Sequence, residues 1–190
     1  EGYYLRVRDH EIIIAGRDER GTFYGLQTLK QLLRESTMQE LEITDYPDVP
    51  FRGIVEGYYG KPMDFETHLR MFGYYGANKM NIYLYGPKDD PYHSSPHWRQ
   101  PYPEKEAQEI REMARVARNN GLDFVWAIHP GKDIHWNQAD RDSVILKFES
   151  MYQLGVRAFA VFFDDISGEG AKADKQVELL NYINEHFIHQ

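Results

Sequence analysis

The sequence predicts an α/β fold built on parallel strands, and three observations lead there. Four apolar runs, Gly53–Tyr59, Met80–Tyr85, Phe124–His129 and Ala158–Phe163, recur along the chain, each followed by a helix-periodic segment. The last run has no polar interruption, which suits a strand of a parallel sheet covered on both faces. Gly76, Gly121 and Gly155 close three of the helical segments, and glycine is the residue best suited to the left-handed stop of a helix. Strand, helix, glycine and strand again is the pattern of βα units joined by right-handed crossovers.

In chain order, Tyr3–Val7 and Ile12–Ala15 are β-rich runs separated by Arg8-Asp9-His10-Glu11, which predicts a hairpin. A helix over 22–33 carries Phe23, Leu26, Leu29 and Leu33 at helical spacing. Leu41–Thr44 alternates as a further strand. Asp45-Tyr46-Pro47-Asp48-Val49-Pro50 then reads as a linker, since each proline fixes its own φ and restricts the residue before it. The expected division is a partial small α/β domain over 1–50 and a second domain over 51–190. Fifty residues is small for an independent fold, so the first piece is expected to lean on the second or to have lost some of its own strands. In the second, helices are expected at about 64–75, 104–119, 139–154 and 171–187. Asp64 stands in position to cap the first; Ala107, Ile110, Ala114 and Ala117 form the apolar stripe of the second. Four βα units suit either a small open parallel sheet or half of a (β/α)₈ barrel, which needs ~250 residues when complete.

The totals exclude several functions. Net charge is −8, from 22 basic and 30 acidic residues, with no dense Lys/Arg cluster, so nucleic acid is not an expected partner. No stretch approaches the ~20 apolar residues of a membrane span, so no membrane insertion is expected. The absence of cysteine excludes disulfides, thiolate metal sites and a cysteine nucleophile.

What chemistry the chain carries gathers at the carboxyl ends of the predicted strands, where sheets of this kind place it. The first ends in Val55-Glu56-Gly57-Tyr58-Tyr59-Gly60 and the second in Tyr85-Gly86-Pro87-Lys88-Asp89-Asp90. The third ends in His129-Pro130-Gly131-Lys132 and the fourth in Asp164-Asp165. Either aspartate could be a helix cap, but four loaded ends on one rim point to a site. Tyr58, Tyr59, Tyr85, Trp98 and Trp136 add aromatic faces, which suit the C–H faces of a sugar, although each alone could be ordinary packing. His129, His135, Asp164 and Asp165 are conceivable metal ligands. They show no diagnostic spacing, and no metal or other cofactor is expected. Ser167-Gly168-Glu169-Gly170 lacks the Lys-Ser/Thr ending of a phosphate loop.

Three segments together resemble a known family. Arg52-Gly53-Ile54-Val55-Glu56-Gly57-Tyr58-Tyr59-Gly60, Tyr85-Gly86-Pro87-Lys88-Asp89-Asp90-Pro91-Tyr92 and Phe162-Phe163-Asp164-Asp165-Ile166 are similar to the family 84 glycoside hydrolases. These are β-N-acetylglucosaminidases of the O-GlcNAcase and hyaluronidase-like type, and the bacterial members are the nearest. The resemblance implies the first four βα units of a (β/α)₈ TIM barrel over 51–190, preceded by the C-terminal part of a small α/β domain. It implies a retaining hydrolase acting on a glycan or glycoprotein bearing terminal β-linked N-acetylglucosamine. The family has no enzyme nucleophile: the substrate's own acetamido oxygen attacks the anomeric carbon and an oxazoline forms, an exception to the two-carboxylate scheme. By the same resemblance Asp164 would hold the acetamido N–H. Asp165 would protonate the leaving oxygen and then deprotonate water. The backbone carbonyl of Gly57 and the side chain of Lys88 would take sugar hydroxyls, and Tyr59 would stand near the acid. The family draws further site residues from later strands, so the isolated 190-residue piece is expected to be inactive. The competing readings are a metal-dependent hydrolase on an open α/β sheet and a non-catalytic sugar-binding half-barrel.

Overall fold

The computed structural model describes residues 1–34 and 39–189. Strands β1 (Tyr3–Arg8) and β2 (Glu11–Gly16) pair antiparallel with Arg8 opposite Glu11. Their tight turn is taken by Asp9 at φ 49°, a conformation Asp tolerates better than most residues. Helix α1 (Glu19–Leu32) is capped by Asp18, whose carboxylate accepts from the Gly21 N–H at 2.7 Å. Strand β3 (Leu41–Asp45) joins the free side of β1, giving the order β2-β1-β3.

The face that α1 buries differs from the leucine stripe. Gly21, Tyr24, Gly25, Gln27 and Thr28 turn inward, whereas Leu26 and Leu33 are 43% and 59% exposed. The cause is close approach. A Cβ on Gly25 would lie 2.5 Å from Ile14 Cγ2, and Tyr3 Oη meets Thr28 Oγ1 at 2.6 Å. The small residues let the helix sit directly on the sheet, around the core of Tyr3, Leu5, Val7 and Tyr24.

The second part alternates β4 (Gly53–Glu56), α2 (Phe65–Ala77), β5 (Ile82–Tyr85), α3 (Glu104–Asn119), β6 (Asp123–Ile128), α4 (Gln138–Gln153), β7 (Ala158–Val161) and α5 (Ala173–Ile183). All four strands are parallel and lie in chain order, β4-β5-β6-β7. One apolar cluster joins Phe72 of α2, Ile110 of α3, Phe148 of α4 and Leu179 of α5 to Tyr83, Phe124, Trp126 and Phe159. The helices therefore cover one face. A doubly wound sheet reverses its strand order at a switch point and puts helices on both faces. Winding in one direction with helices outside is that of a (β/α)₈ barrel, so these strands form part of a barrel and not a small open sheet. Val55, on the face opposite the helices, is 62% exposed.

Three of the four strands, β4, β5 and β7, are shorter than expected, but pairing continues into the site. Gly86 N–H donates to Glu56 O at 3.0 Å, Lys88 N–H to Tyr58 O at 3.0 Å, and Phe162 N–H to Ile128 O at 2.8 Å. The last predicted helix is divided into a 3₁₀ turn at Gly168–Ala171, α5, and a π-type turn at Asn184–Ile188. Gly121 (φ 75°) and Gly155 (φ 95°) are left-handed helix stops as expected. Gly76 is not. It lies inside α2, and the left-handed residue is Lys79 at φ 58°. A Cβ on Gly76 would come within 2.3 Å of the Asn120 carbonyl oxygen, so this glycine serves close packing.

The small sheet is tied to the amino ends of the parallel strands. Lys79, ahead of β5, donates to Tyr3 Oη at 2.9 Å and Asp45 at 3.0 Å. Arg52, ahead of β4, donates to Tyr24 Oη at 2.8 Å. Arg20 of α1 bonds Asp123, the first residue of β6, at 2.9 Å. The opposite rim is left free for chemistry.

Candidate active site

At that rim the four strand ends converge. Phe162 and Phe163 carry the chain beyond β7 to Asp164 and Asp165, which are both exposed. Asp165 takes φ 52°, a left-handed conformation costing a non-glycine residue roughly 1 kcal/mol, and this turns two neighbouring carboxylates in different directions. Asp165 Oδ2 accepts from Tyr59 Oη at 3.0 Å. Asp164 Oδ2 accepts instead from Lys88 Nζ, a buried side chain reaching up from the end of β5. Burial raises the Asp164 pKa; the hydrogen bond and charge of Lys88, its own amide and His129 outweigh this and hold it below the usual carboxylate range. The two carboxylates thus have different partners, one a cation and one a phenol.

Gly57 lies between Glu56 and Tyr58, the two residues whose carbonyls pair with the segment leading to Lys88, so its backbone is placed beside that of Lys88. Below it, Glu56 is only 1% exposed. It accepts from Tyr83 Oη at 2.5 Å, His68 Nε2 at 2.7 Å and Met63 N–H at 3.0 Å. Burial alone raises its pKa, but donation by His68 and Tyr83 brings the carboxyl below the ordinary range. Glu56 is therefore a buried anchor tying β4 to α2 and β5.

The aromatic rim is smaller than the sequence suggested. Tyr58 and Tyr59 are 45% and 57% exposed. Tyr85 is buried with its hydroxyl on Asp90 at 2.8 Å. Trp98 is fully buried, donating Nε1–H to Asp133 at 2.6 Å. Trp136 is partly buried at φ 58°. Tyr85 and Trp98 are thus core residues, their polar atoms claimed by Asp90 and Asp133. The Tyr59 ring has Lys88 Nζ 6.0 Å and Lys132 Nζ 5.6 Å from its centroid, within cation–π range.

The conceivable metal ligands do not converge. His129 directs Nε2 to the Asp164 backbone carbonyl at 2.7 Å. His135 is exposed, and only its backbone N–H is held, by Asp140 at 2.7 Å. Among the described residues no three His, Asp or Glu side chains are grouped as a metal would require. Nothing in the residue pattern points to His93, which lies buried in the loop after β5 and bonds the Ala127 carbonyl through Nδ1 at 2.6 Å. Its partner is a backbone atom 34 residues away, which no local pattern announces. The turn after β7 rests on that after β6: a Cβ on Gly131 would come within 2.8 Å of Ile166 Cδ1.

This arrangement can grip a polar group between Lys88 and Asp164 while offering Asp165 to a neighbouring atom. Residues 52–190 match the family model described as NAGidase, beta-N-acetylglucosaminidase. The chain belongs to this family, glycoside hydrolase family 84. Residues 1–46 match a second model, described as glycosyl hydrolase family 20, domain 2. Among relatives of this family 84 chain, Protein O-GlcNAcase from Rattus norvegicus is 37% identical over 126 residues, 66% of this chain and 14% of that protein. The solved structure of CpGH84B is 42% identical with a TM-score of 0.93, covering 100% of this chain and 34% of that one. An O-GlcNAc hydrolase mutant from Thermobaculum terrenum is 32% identical with a TM-score of 0.67, covering 72% of this chain and 32% of that one. The chain thus spans about a third or less of the length of these relatives.

Proposed function

We propose that the chain supplies part of the active site of a retaining β-N-acetylglucosaminidase. It would remove terminal β-linked N-acetylglucosamine from glycans or glycoproteins by substrate-assisted catalysis. The observation that carries this is the unequal partnering of the aspartate pair. Asp164, held charged by Lys88, suits the residue that accepts the acetamido N–H and supports the positive charge of a forming oxazoline. Asp165, exposed and hydrogen-bonded among the described residues only by Tyr59, suits the group that gives a proton to the leaving oxygen and later takes one from water. The Gly57 carbonyl and Lys88 would bind sugar hydroxyls. We also infer that residues 1–50 are a partial small α/β domain and 51–190 the N-terminal half of the catalytic barrel. The change of family match between residues 46 and 52 supports that division.

The roles separate by leaving group. In the full-length protein Asp165→Asn is expected to lose roughly 10²–10⁴-fold on poor leaving groups and far less on activated aryl glycosides, which need little protonation. Asp164→Asn is expected to impair both, because the acetamido attack is needed whatever departs. Equal losses for Asp165→Asn on both substrates would remove its role as acid. An Asp164→Asn enzyme that still cleaved the activated substrate would exchange the two assignments.

A further inference from the structure

The peptide joining Asp164 to Asp165 is held from below by one side chain, and that side chain is itself held. His129 follows directly on β6 and is fully buried. Its Nε2 lies 2.7 Å from the Asp164 carbonyl oxygen and 3.5 Å from Asp164 Oδ1. A carbonyl can only accept, so Nε2 carries a proton. Nδ1 is buried without a partner among the described residues, so the imidazole is committed to this single contact. The His129 backbone N–H donates to His93 O at 2.9 Å. His93 in turn donates Nδ1–H to Ala127 O at 2.6 Å, and its ring meets those of His129 and Phe162 at 6.1 and 6.0 Å. Burial pushes the His93 pKa down to about 4, so its ring is uncharged near neutral pH. The loop after β5, the end of β6 and the end of β7 are thereby joined into one chain of bonds ending on the Asp164–Asp165 peptide.

We propose that His129 is a positioning residue for the aspartate pair: by holding the Asp164 carbonyl it fixes the plane of the following peptide and keeps Asp165 in its left-handed turn, aimed at the leaving oxygen. This rests on the reading of Asp165 as the acid. Without the contact, the turn can relax toward an ordinary backbone conformation. A carboxyl displaced by about 1 Å costs on the order of 10²-fold in rate, most where protonation matters most.

The test uses the full-length protein with aryl N-acetylglucosaminides spanning poor to activated leaving groups, with melting temperature measured alongside. His129→Phe keeps the ring volume and removes the donor. The expected result is a kcat loss of roughly 10- to 100-fold on poor leaving groups, shrinking with activation, with KM little changed. His129→Gln restores an N–H near the Nε2 position and is expected to recover most of that loss. Should His129→Phe fail to fold, His129→Asn gives the same contrast, since its shorter amide falls short of the carbonyl. Equal losses across all leaving groups, or a Gln variant as impaired as Phe or Asn, would overturn the proposal. Asp165→Asn run in parallel separates the two layers. If it shows the leaving-group dependence and His129→Phe does not, only the positioning role fails; if it shows none, the acid assignment fails and takes the positioning role with it.

Discussion

At the scale of single residues, the site is a problem of keeping one carboxylate charged beside another. The Lys88 ammonium, buried at the end of β5, is the largest influence opposing the effect of burial on Asp164. The sign follows directly: a depressed pKa keeps Asp164 charged down to lower pH, and removing the cation raises that pKa. Lys88→Met is therefore expected to move the acid limb of kcat/KM to higher pH, measured with an activated aryl substrate so that protonation of the leaving group does not intrude. A fall in kcat/KM with the limb unmoved would confine Lys88 to sugar binding. Lys88, Asp164 and Asp165 were picked out because they follow apolar runs, and Gly57 and Tyr59 through the family resemblance. His93 and the roles of Glu56, Asp90 and His129 were not, because each is defined by a buried partner supplied by another element. Glu56 and Asp90 carry the same chemical groups as Asp164 and Asp165; burial under Tyr83 or Tyr85 is what separates an anchor from a reactive group, and no spacing reports it.

At the scale of elements, periodicity located every strand and helix of the parallel sheet, and failed where small residues or long side chains decided the contact. In α1 the glycines chose the packing face over the leucines. In α4 the inward stripe of Val144, Lys147, Phe148 and Met151 contains a lysine. Lys147 is 2% exposed; its Nζ donates to Gln100 O at 2.5 Å and lies 4.3 Å from the Tyr102 ring centroid and 5.7 Å from that of Trp126. Burial, only partly opposed by Asp90, pushes its pKa down to about 7. In the unfolded chain the amine titrates near its ordinary value of about 10.4, so between those values the unfolded state binds more protons. The folded state is then penalised fully below pH 7 and relieved as pH rises toward 10. Between pH 6.5 and 9.5 this group should add about 3 kcal/mol of stability. Compared with Lys147→Met, which lacks the titration, the wild-type melting temperature is expected to climb over that range. Parallel curves for the two proteins would show that the ammonium is accommodated charged, by the rings and the Gln100 carbonyl.

At the scale of the whole molecule, the winding of the sheet and the position of the aspartates make one argument. A one-directional βα sheet has helices outside and needs further strands to cover its inner face and close its edges. Here β4 and β7 are the edges, and Val55 on the inner face is 62% exposed. Unpaired strand edges with apolar faces invite pairing between molecules. The same opening bears on catalysis. The Asp164 side chain is 55% exposed although its partner Lys88 is buried, and charge interactions lose strength where water reaches them. In the proposed mechanism, acetamido attack needs that carboxylate in a shielded site, with the sugar held from both sides. Residues 1–190 expressed alone are therefore expected to hydrolyse no N-acetylglucosaminide, and to aggregate or associate edge to edge. Mass in solution and an assay with an activated aryl substrate check both halves of this expectation. A monodisperse monomer turning over near the rate of the full-length protein would mean that four βα units suffice to shield the pair, and the barrel's remaining strands would then lose their assigned place in the chemistry.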